Sequence, residues 1–401
     1  MGQTYFQKGF NLKSVVGPIL QRNYHSEVVD RVREMGGSVR AGDLGLKLAR
    51  EFGFCYGVDR AVEYAYETRE KFPDRRIFLS GEIIHNPDVN SRIEAMGIRL
   101  LKDTSAPADR YADVESSDVV ILPAFGVTVA EMEDLRSRGC ILVDTTCGSV
   151  LNVWKNVHIY AREGFTAVIH GKHYHEETKA TASQALTHPG GRYLCVRDRE
   201  EAELLCGFIR GSVGRDEVLA RFHHAMSPGF DPDPDLGRIG LANQTTMLMS
   251  ESMQIQEMLR TAMRERYGEA ELRSRFRAFD TICSATQDRQ DAVLRMLEQG
   301  GLDLMLVIGG YNSSNTAALA RICAERLPTF HINGPDCFEG GLIRHRLVGA
   351  HQEVETPDWL PEGPATLGIT AGASTPNNVV GEVIERVLAR HGLTPADLVP
   401  A

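Results

Sequence analysis

The chain has 401 residues, 42% of them hydrophobic and 24% charged. That supports two or three domains with real cores and excludes a mostly disordered chain. A net charge of −10 argues against a nucleic-acid binder, which needs Lys and Arg patches, and no apolar run is long enough to span a membrane.

Residues 1–47 read as an N-terminal extension with an amphipathic helix over 26–35. No signal-peptide core is present, Glu27, Asp30 and Glu34 argue against a transit peptide, and Phe6 spoils Met1-Gly2 as an acylation signal. The expectation is a cytoplasmic protein. Its eight scattered cysteines then point to metal or catalytic roles rather than disulfides.

From residue 48 onward, β-branched runs alternate with polar turns and helical patterns, the rhythm of βα units and parallel sheets. Three turns carry a cysteine. Gly53-Phe54-Cys55-Tyr56-Gly57 leads into a helix predicted over 58–71. Asp144-Thr145-Thr146-Cys147 follows Ile141-Leu142-Val143. Asp280-Thr281-Ile282-Cys283 precedes a helix running to about 298.

A second turn follows each cysteine at a nearly constant distance. His85, His175 and Ser313 lie 30, 28 and 30 residues after Cys55, Cys147 and Cys283. The third turns are Ala124-Phe125-Gly126-Val127-Thr128, Asn243-Gln244-Thr245-Thr246 and Thr370-Ala371-Gly372-Ala373-Ser374-Thr375. This agreement reads as three similar α/β domains over 48–143, 144–279 and 280–376. Their polar turns sit at strand carboxyl ends, where such sheets bind ligands. Residues 207–238 read as a surface insertion, because the run 227–235 is broken by Pro228, Pro232 and Pro234. Residues 377–401 read as a C-terminal helix and tail.

If the three domains pack about a pseudo-threefold axis, Cys55, Cys147 and Cys283 meet at the centre. Three thiolates suit a cubane 4Fe–4S cluster, one per chain, with the fourth iron open to substrate. Cys140, Cys195, Cys206, Cys323 and Cys337 lie outside the repeated turns and read as small buried hydrophobes. The turn from Gly309 to Asn315 and that from Thr370 to Ser374 offer hydroxyls, an amide and helix-start N–H groups suited to an anion. The same residue types are ordinary helix caps. The matching offsets of His85 and His175 suggest donors to a shared anion. Glu177 is a candidate proton donor, or a first-turn glutamate complementing the helix dipole.

Taken together, Gly53-Phe54-Cys55, His85-Asn86, Asp144-x-Thr146-Cys147, His175-x-Glu177, Gln244-Thr245-Thr246, Asp280-x-Ile282-Cys283, Asn312-Ser313-Ser314-Asn315 and Thr370-Ala371-Gly372-Ala373-Ser374 resemble the 4-hydroxy-3-methylbut-2-enyl diphosphate reductases of the LytB/IspH family. The resemblance implies a trefoil of three α/β domains around a 4Fe–4S cluster. The implied activity is reductive dehydroxylation of the allylic alcohol to isopentenyl and dimethylallyl diphosphate, the last step of the non-mevalonate isoprenoid pathway. It further implies Cys55, Cys147 and Cys283 as cluster ligands and His85, His175, Ser313, Ser314, Asn315 and Ser374 as diphosphate contacts. Glu177 becomes the proton-relay acid, and Thr245 the residue near the substrate hydroxyl.

One departure stands out: Phe125 occupies a position where many members carry histidine. Together with the N-terminal extension it points to the plant and cyanobacterial branch, and Lys172 is the candidate compensating cation. Ferredoxin or flavodoxin is the expected electron donor, because no Gly-x-Gly-x-x-Gly opens a βαβ unit. A 4Fe–4S hydro-lyase and a non-enzymatic iron–sulfur sensor are the competing readings.

Overall fold

The structure is a computed structural model that describes residues 4–101, 110–279, 281–350 and 352–401. Met1-Gly2 and Asp280 of the sequence motifs lie outside them. The fold is mixed α/β and built on parallel sheets. Residues 1–8, 74–81 and 99–283 form one compact unit, and residues 9–73, 82–98 and 284–401 form a second.

The first unit holds two sheets. One runs in the order Tyr5–Phe6, Ile141–Asp144, Val119–Leu122, Ile77–Leu79, Ile98–Leu100. The other runs Phe276–Ala278, Ile239–Asn243, Thr166–His170, Tyr193–Val196. The second unit holds a nine-stranded sheet with a parallel centre of Leu44–Leu48, Ala365–Ala371, Leu304–Ile308 and Thr329–Ile332. Antiparallel strands flank that centre. Val119–Leu122, Thr166–His170 and Leu304–Ile308 are buried at every residue, as expected of strands covered on both faces.

The three sheets repeat one order. A strand ending in a cysteine turn lies beside the strand ending in a third turn, then the strand ending in a second turn, then one more strand. Each cysteine N–H reaches back to its neighbour's turn. Cys147 donates to the Ala124 carbonyl at 2.8 Å, Cys283 to that of Thr245 at 3.3 Å and Cys55 to that of Ala373 at 3.2 Å. The cysteine strand is last in chain order in the five- and four-stranded sheets and first in the parallel centre of the large one.

This pairing corrects the expected boundary at 47/48. Leu44–Leu48, which feeds Cys55, pairs with Ala365–Ala371 more than 300 residues later. Residues 4–47 are not an appendage. Ser26 caps the helix Glu27–Glu34 by accepting from the Val29 N–H, and Val28, Val29 and Val32 enter the core of the large sheet. Tyr5–Phe6 adds a parallel edge strand to Ile141–Asp144.

The C-terminal residues are equally built in. Asn377–Arg390 buries Val380, Val383, Ile384, Val387 and Leu388 in the same core, and Val399–Pro400 pairs with Ser38–Ala41. The expected surface insertion 207–238 is also corrected. It contains the helices Arg215–Phe222 and Pro232–Asp235, and Val218, Phe222, Ala225, Phe230 and Leu236 are buried in the core of the four-stranded sheet. Its prolines start a helical turn and end segments, while its apolar residues face inward.

Candidate active site

Cys55 and Cys147 are the capping residues of the helices Tyr56–Lys71 and Gly148–Arg162, and Cys283 immediately precedes Ser284–Gln299. The two caps are extended, with φ/ψ of −90/164° and −64/141°, and their side chains do not bond to the helix. All three cysteines are partly exposed, whereas Cys140, Cys195, Cys206, Cys323 and Cys337 are buried. Burial pushes the thiol of Cys140 up to about 11 and those of Cys195, Cys206 and Cys323 to about 12. Burial thus disfavours the thiolate at those four. The three repeated turns thus present the thiols suited to a metal centre.

In the first unit a chain of contacts joins the other candidates. Glu177 is 3% exposed and opens the helix Glu176–Ala185. Its Oε1 accepts from the Thr245 N–H at 2.6 Å and its Oε2 from the Thr245 hydroxyl at 3.1 Å. Glu177 thus stands in the first turn of its own helix and is also bonded to a turn of another element. The Thr245 carbonyl is the one that receives the Cys283 N–H. His175 caps the Glu177 helix, with Nδ1 accepting from the Glu177 N–H at 3.2 Å. The neutral ring therefore carries its proton on Nε2, a donor. Phe125 meets the His175 ring edge-on, with centroids 6.1 Å apart.

Gln244 fastens two turns of this unit together. Its Oε1 accepts from the Lys172 N–H and the Thr178 hydroxyl, both at 3.1 Å, and its Nε2 donates to Thr246 Oγ1. Lys172 itself is half-buried.

The second unit gathers the remaining candidates. Ser313 caps Ser314–Ala324 by accepting from the Thr316 N–H. Its hydroxyl proton is still a donor, so capping and anion binding are compatible roles. Ser314, Asn315 and Ser374 are buried. Asn315 Oδ1 accepts from the Ala373 N–H at 2.9 Å, and Ser374 Oγ donates to the His85 carbonyl at 3.2 Å. Asn315 is therefore also a tie between turns. The His85 carbonyl lies so close to Gly310 that a Cβ there would sit 2.5 Å from its oxygen. His85 Nδ1 lies 2.8 Å from Glu82 Oε2.

The structure thus brings His175, Glu177, Thr245 and Cys283 into one connected set. It brings His85, Ser313, Ser314, Asn315 and Ser374 into another. Cys55 joins the second through the Ala373 turn, and Cys147 joins the first through the Ala124 turn beside Phe125. Sequence reasoning missed the tying roles of Gln244 and of Arg289, which donates to the carbonyls of Gly53 and Phe54. Gln244 stood in a quoted motif, but nothing in its spacing marks which turn it reaches.

Fold and site together define an α/β protein whose parallel sheets carry thiols, a buried acid and polar turns at their carboxyl ends. The family model described as LytB protein matches residues 46–388, and the chain belongs to that family. It is 47% identical over 397 residues to the 4-hydroxy-3-methylbut-2-enyl diphosphate reductase of Gloeobacter violaceus, covering 98% of this chain and 94% of that one. It is 48% identical over 388 residues to the reductase of the same name from a Synechococcus species, covering 96% and 94%. These cyanobacterial relatives fit the branch expected from Phe125.

Among solved structures, the chain is similar to (E)-4-hydroxy-3-methyl-but-2-enyl diphosphate reductase, titled the terminal enzyme of the non-mevalonate pathway. The TM-score is 0.51 at 25% identity, covering 85% of this chain and 98% of that one. A reductase from Plasmodium falciparum shares the fold, with a TM-score of 0.62 at 21% identity and coverage of 86% and 87%.

Proposed function

We propose that the chain catalyses the reaction its relatives are named for. It is an oxidoreductase that takes (E)-4-hydroxy-3-methylbut-2-enyl diphosphate to isopentenyl and dimethylallyl diphosphate. The substrate gains two electrons and two protons, its C–O bond breaks, a C–H bond forms and water leaves. The observation that carries this reading is the Glu177–Thr245 pair: a buried carboxylate whose contacts run to a hydroxyl, on the same turn that receives the Cys283 N–H.

Cys55, Cys147 and Cys283 are the residues that would hold a 4Fe–4S cluster. Their accessible positions at helix starts, against five buried cysteines, support that assignment. When bound, the cluster supplies electrons and an iron with an open coordination position. His85, His175, Ser313, Ser314, Asn315 and Ser374 bind the diphosphate through ring N–H, hydroxyl and amide donors at helix starts. That anchoring fixes the reacting end of the substrate and contributes by orientation. The Thr245 hydroxyl, held on Glu177 Oε2, relays the proton that lets the substrate hydroxyl depart as water. Ferredoxin or flavodoxin is the electron donor we propose, and the cytoplasm the compartment. No helix among the described residues is long and apolar enough to cross a membrane.

The test is anaerobic turnover with a reduced dye. Oxidation of the dye that depends on the allylic diphosphate, with both isomeric products formed, is expected. Dehydration of a substrate without any electron donor would favour a hydro-lyase and overturn the reductase reading.

A further inference from the structure

Arg289 lies six residues after Cys283 on the helix Ser284–Gln299 and is 5% exposed. Its guanidinium makes no direct ion pair among the described residues, although the Asp59 carboxylate feels its charge. It spans three carbonyls instead. Nη2 donates to Gly53 O at 2.6 Å and to Phe54 O at 3.1 Å, Nε donates to Gly53 O at 3.2 Å, and Nη1 donates to Ala285 O at 2.8 Å. Gly53 and Phe54 are the two residues before Cys55.

The opposite side of this turn is held by the large sheet, through Cys55 N–H to Ala373 O and Gly53 N–H to Ala371 O. Gly53 has φ +80°, and a Cβ there would sit 2.8 Å from Asn377 Oδ1. The turn is thus a left-handed bend clamped between the sheet and a buried cation. A buried guanidinium is costly unless negative charge lies near. Asp59, in the first turn of the helix after Cys55, supplies part of it, and the thiolate of Cys55, with the net negative charge of a cluster bound by three thiolates, would add to it.

We infer that Arg289 is a positioning residue for Cys55 and the fixed positive charge of that arm of the cluster site, an inference that rests on Cys55 being a cluster ligand. It sets the direction of the Cys55 Sγ by gripping the two preceding carbonyls. Its charge stabilises the more negative, reduced form of the cluster. The fork geometry of arginine suits this task, since one planar group reaches three oxygens that a lysine ammonium cannot span.

The test uses full-length wild type, Arg289→Lys and Arg289→Met, each purified and reconstituted without oxygen. Two quantities are read: iron retained against a chelator, and the midpoint potential from an electron paramagnetic resonance redox titration. Arg289→Met is expected to lose iron about 10- to 100-fold more readily, the usual effect of removing a group that orients a ligand, with its potential shifted negative. Arg289→Lys is expected to keep a potential near wild type, because the charge remains, and to hold iron less well than wild type.

Wild-type iron retention and potential in Arg289→Met would overturn the inference, whatever happens to its melting temperature. If Arg289→Met yields no soluble protein, Arg289→Lys decides, and iron retention equal to wild type would overturn it. A wild-type chain that binds no iron and sulfide would instead overturn the cluster reading on which the inference stands. A wild-type cluster with indifferent variants removes the Arg289 role alone.

Discussion

Glu177 is nearly excluded from solvent, yet both of its oxygens are satisfied by one partner, Thr245. A buried carboxylate without such donors would be costly, so the pair is stable as built. Replacing the acid by its amide keeps the shape and removes the proton. Glu177→Gln is expected to retain cluster and substrate binding while turnover falls roughly 10²- to 10⁴-fold. Near-normal turnover would return Glu177 to the role of a helix-dipole partner. Glu177 was legible as a first-turn acid beside His175. Its bond to Thr245, 68 residues on, was not, because it depends on which strands pair.

His331 gives a pH prediction at the same scale. Burial lowers its pKa to about 4, against a smaller raising effect from its hydrogen bond to the Gly309 carbonyl. Between pH 6.5 and 4 the unfolded chain takes up a proton at this ring that the folded chain refuses. The associated stability is therefore present above about pH 6.5 and is lost as pH falls towards 4, at up to about 1.4 kcal/mol per pH unit. Thermal unfolding across this window should show His331→Gln losing less stability on acidification than wild type. Parallel curves for the two proteins would reject the assignment.

Turns at strand ends are the elements on which the site is assembled, and their backbones approach one another closely. Gly310 and the His85 carbonyl show this best. With an alanine Cβ 2.5 Å from that oxygen, the backbone must move, and overpacking of this kind costs about 1–3 kcal/mol. Gly310→Ala is expected to lower the melting temperature and to raise KM for the diphosphate through His85. Wild-type values of both would show that the two turns move independently.

Lys172 belongs to the neighbouring kind of element, a turn pinned by Gln244. If it compensates for the donor lost at Phe125, Lys172→Ala will raise KM more than it lowers kcat, the mark of lost uniform binding. An unchanged KM would leave the anion to the histidine, serine and asparagine donors. The turns at His85, His175 and Ser313 were readable because each follows a short apolar run. Arg289 was not readable, since a buried arginine and a solvated one look alike on an amphipathic helix.

Across the whole chain, one strand order recurs in three sheets, each with a cysteine N–H bonded to the adjacent turn. The repeat was visible in the sequence because the offsets of 30, 28 and 30 residues are local distances within each repeat. What escaped was the membership of the first cysteine strand. Leu44–Leu48 is a short alternating segment that gains its partner only from the far end of the chain, and no local pattern carries that information. For the same reason the N-terminal and C-terminal segments looked like appendages while both contribute to the core of the large sheet.

The central claim is that the three repeated cysteines, and not the five buried ones, bind a 4Fe–4S cluster. It is tested most directly by iron and acid-labile sulfide per chain, measured on anaerobically purified wild type, on Cys55→Ser, Cys147→Ser and Cys283→Ser, and on Cys140→Ser and Cys323→Ser as controls. The account predicts about four irons and four sulfides per chain in wild type and both controls, and loss of the intact cluster in each of the first three. Unchanged iron and sulfide in all of those three would contradict it.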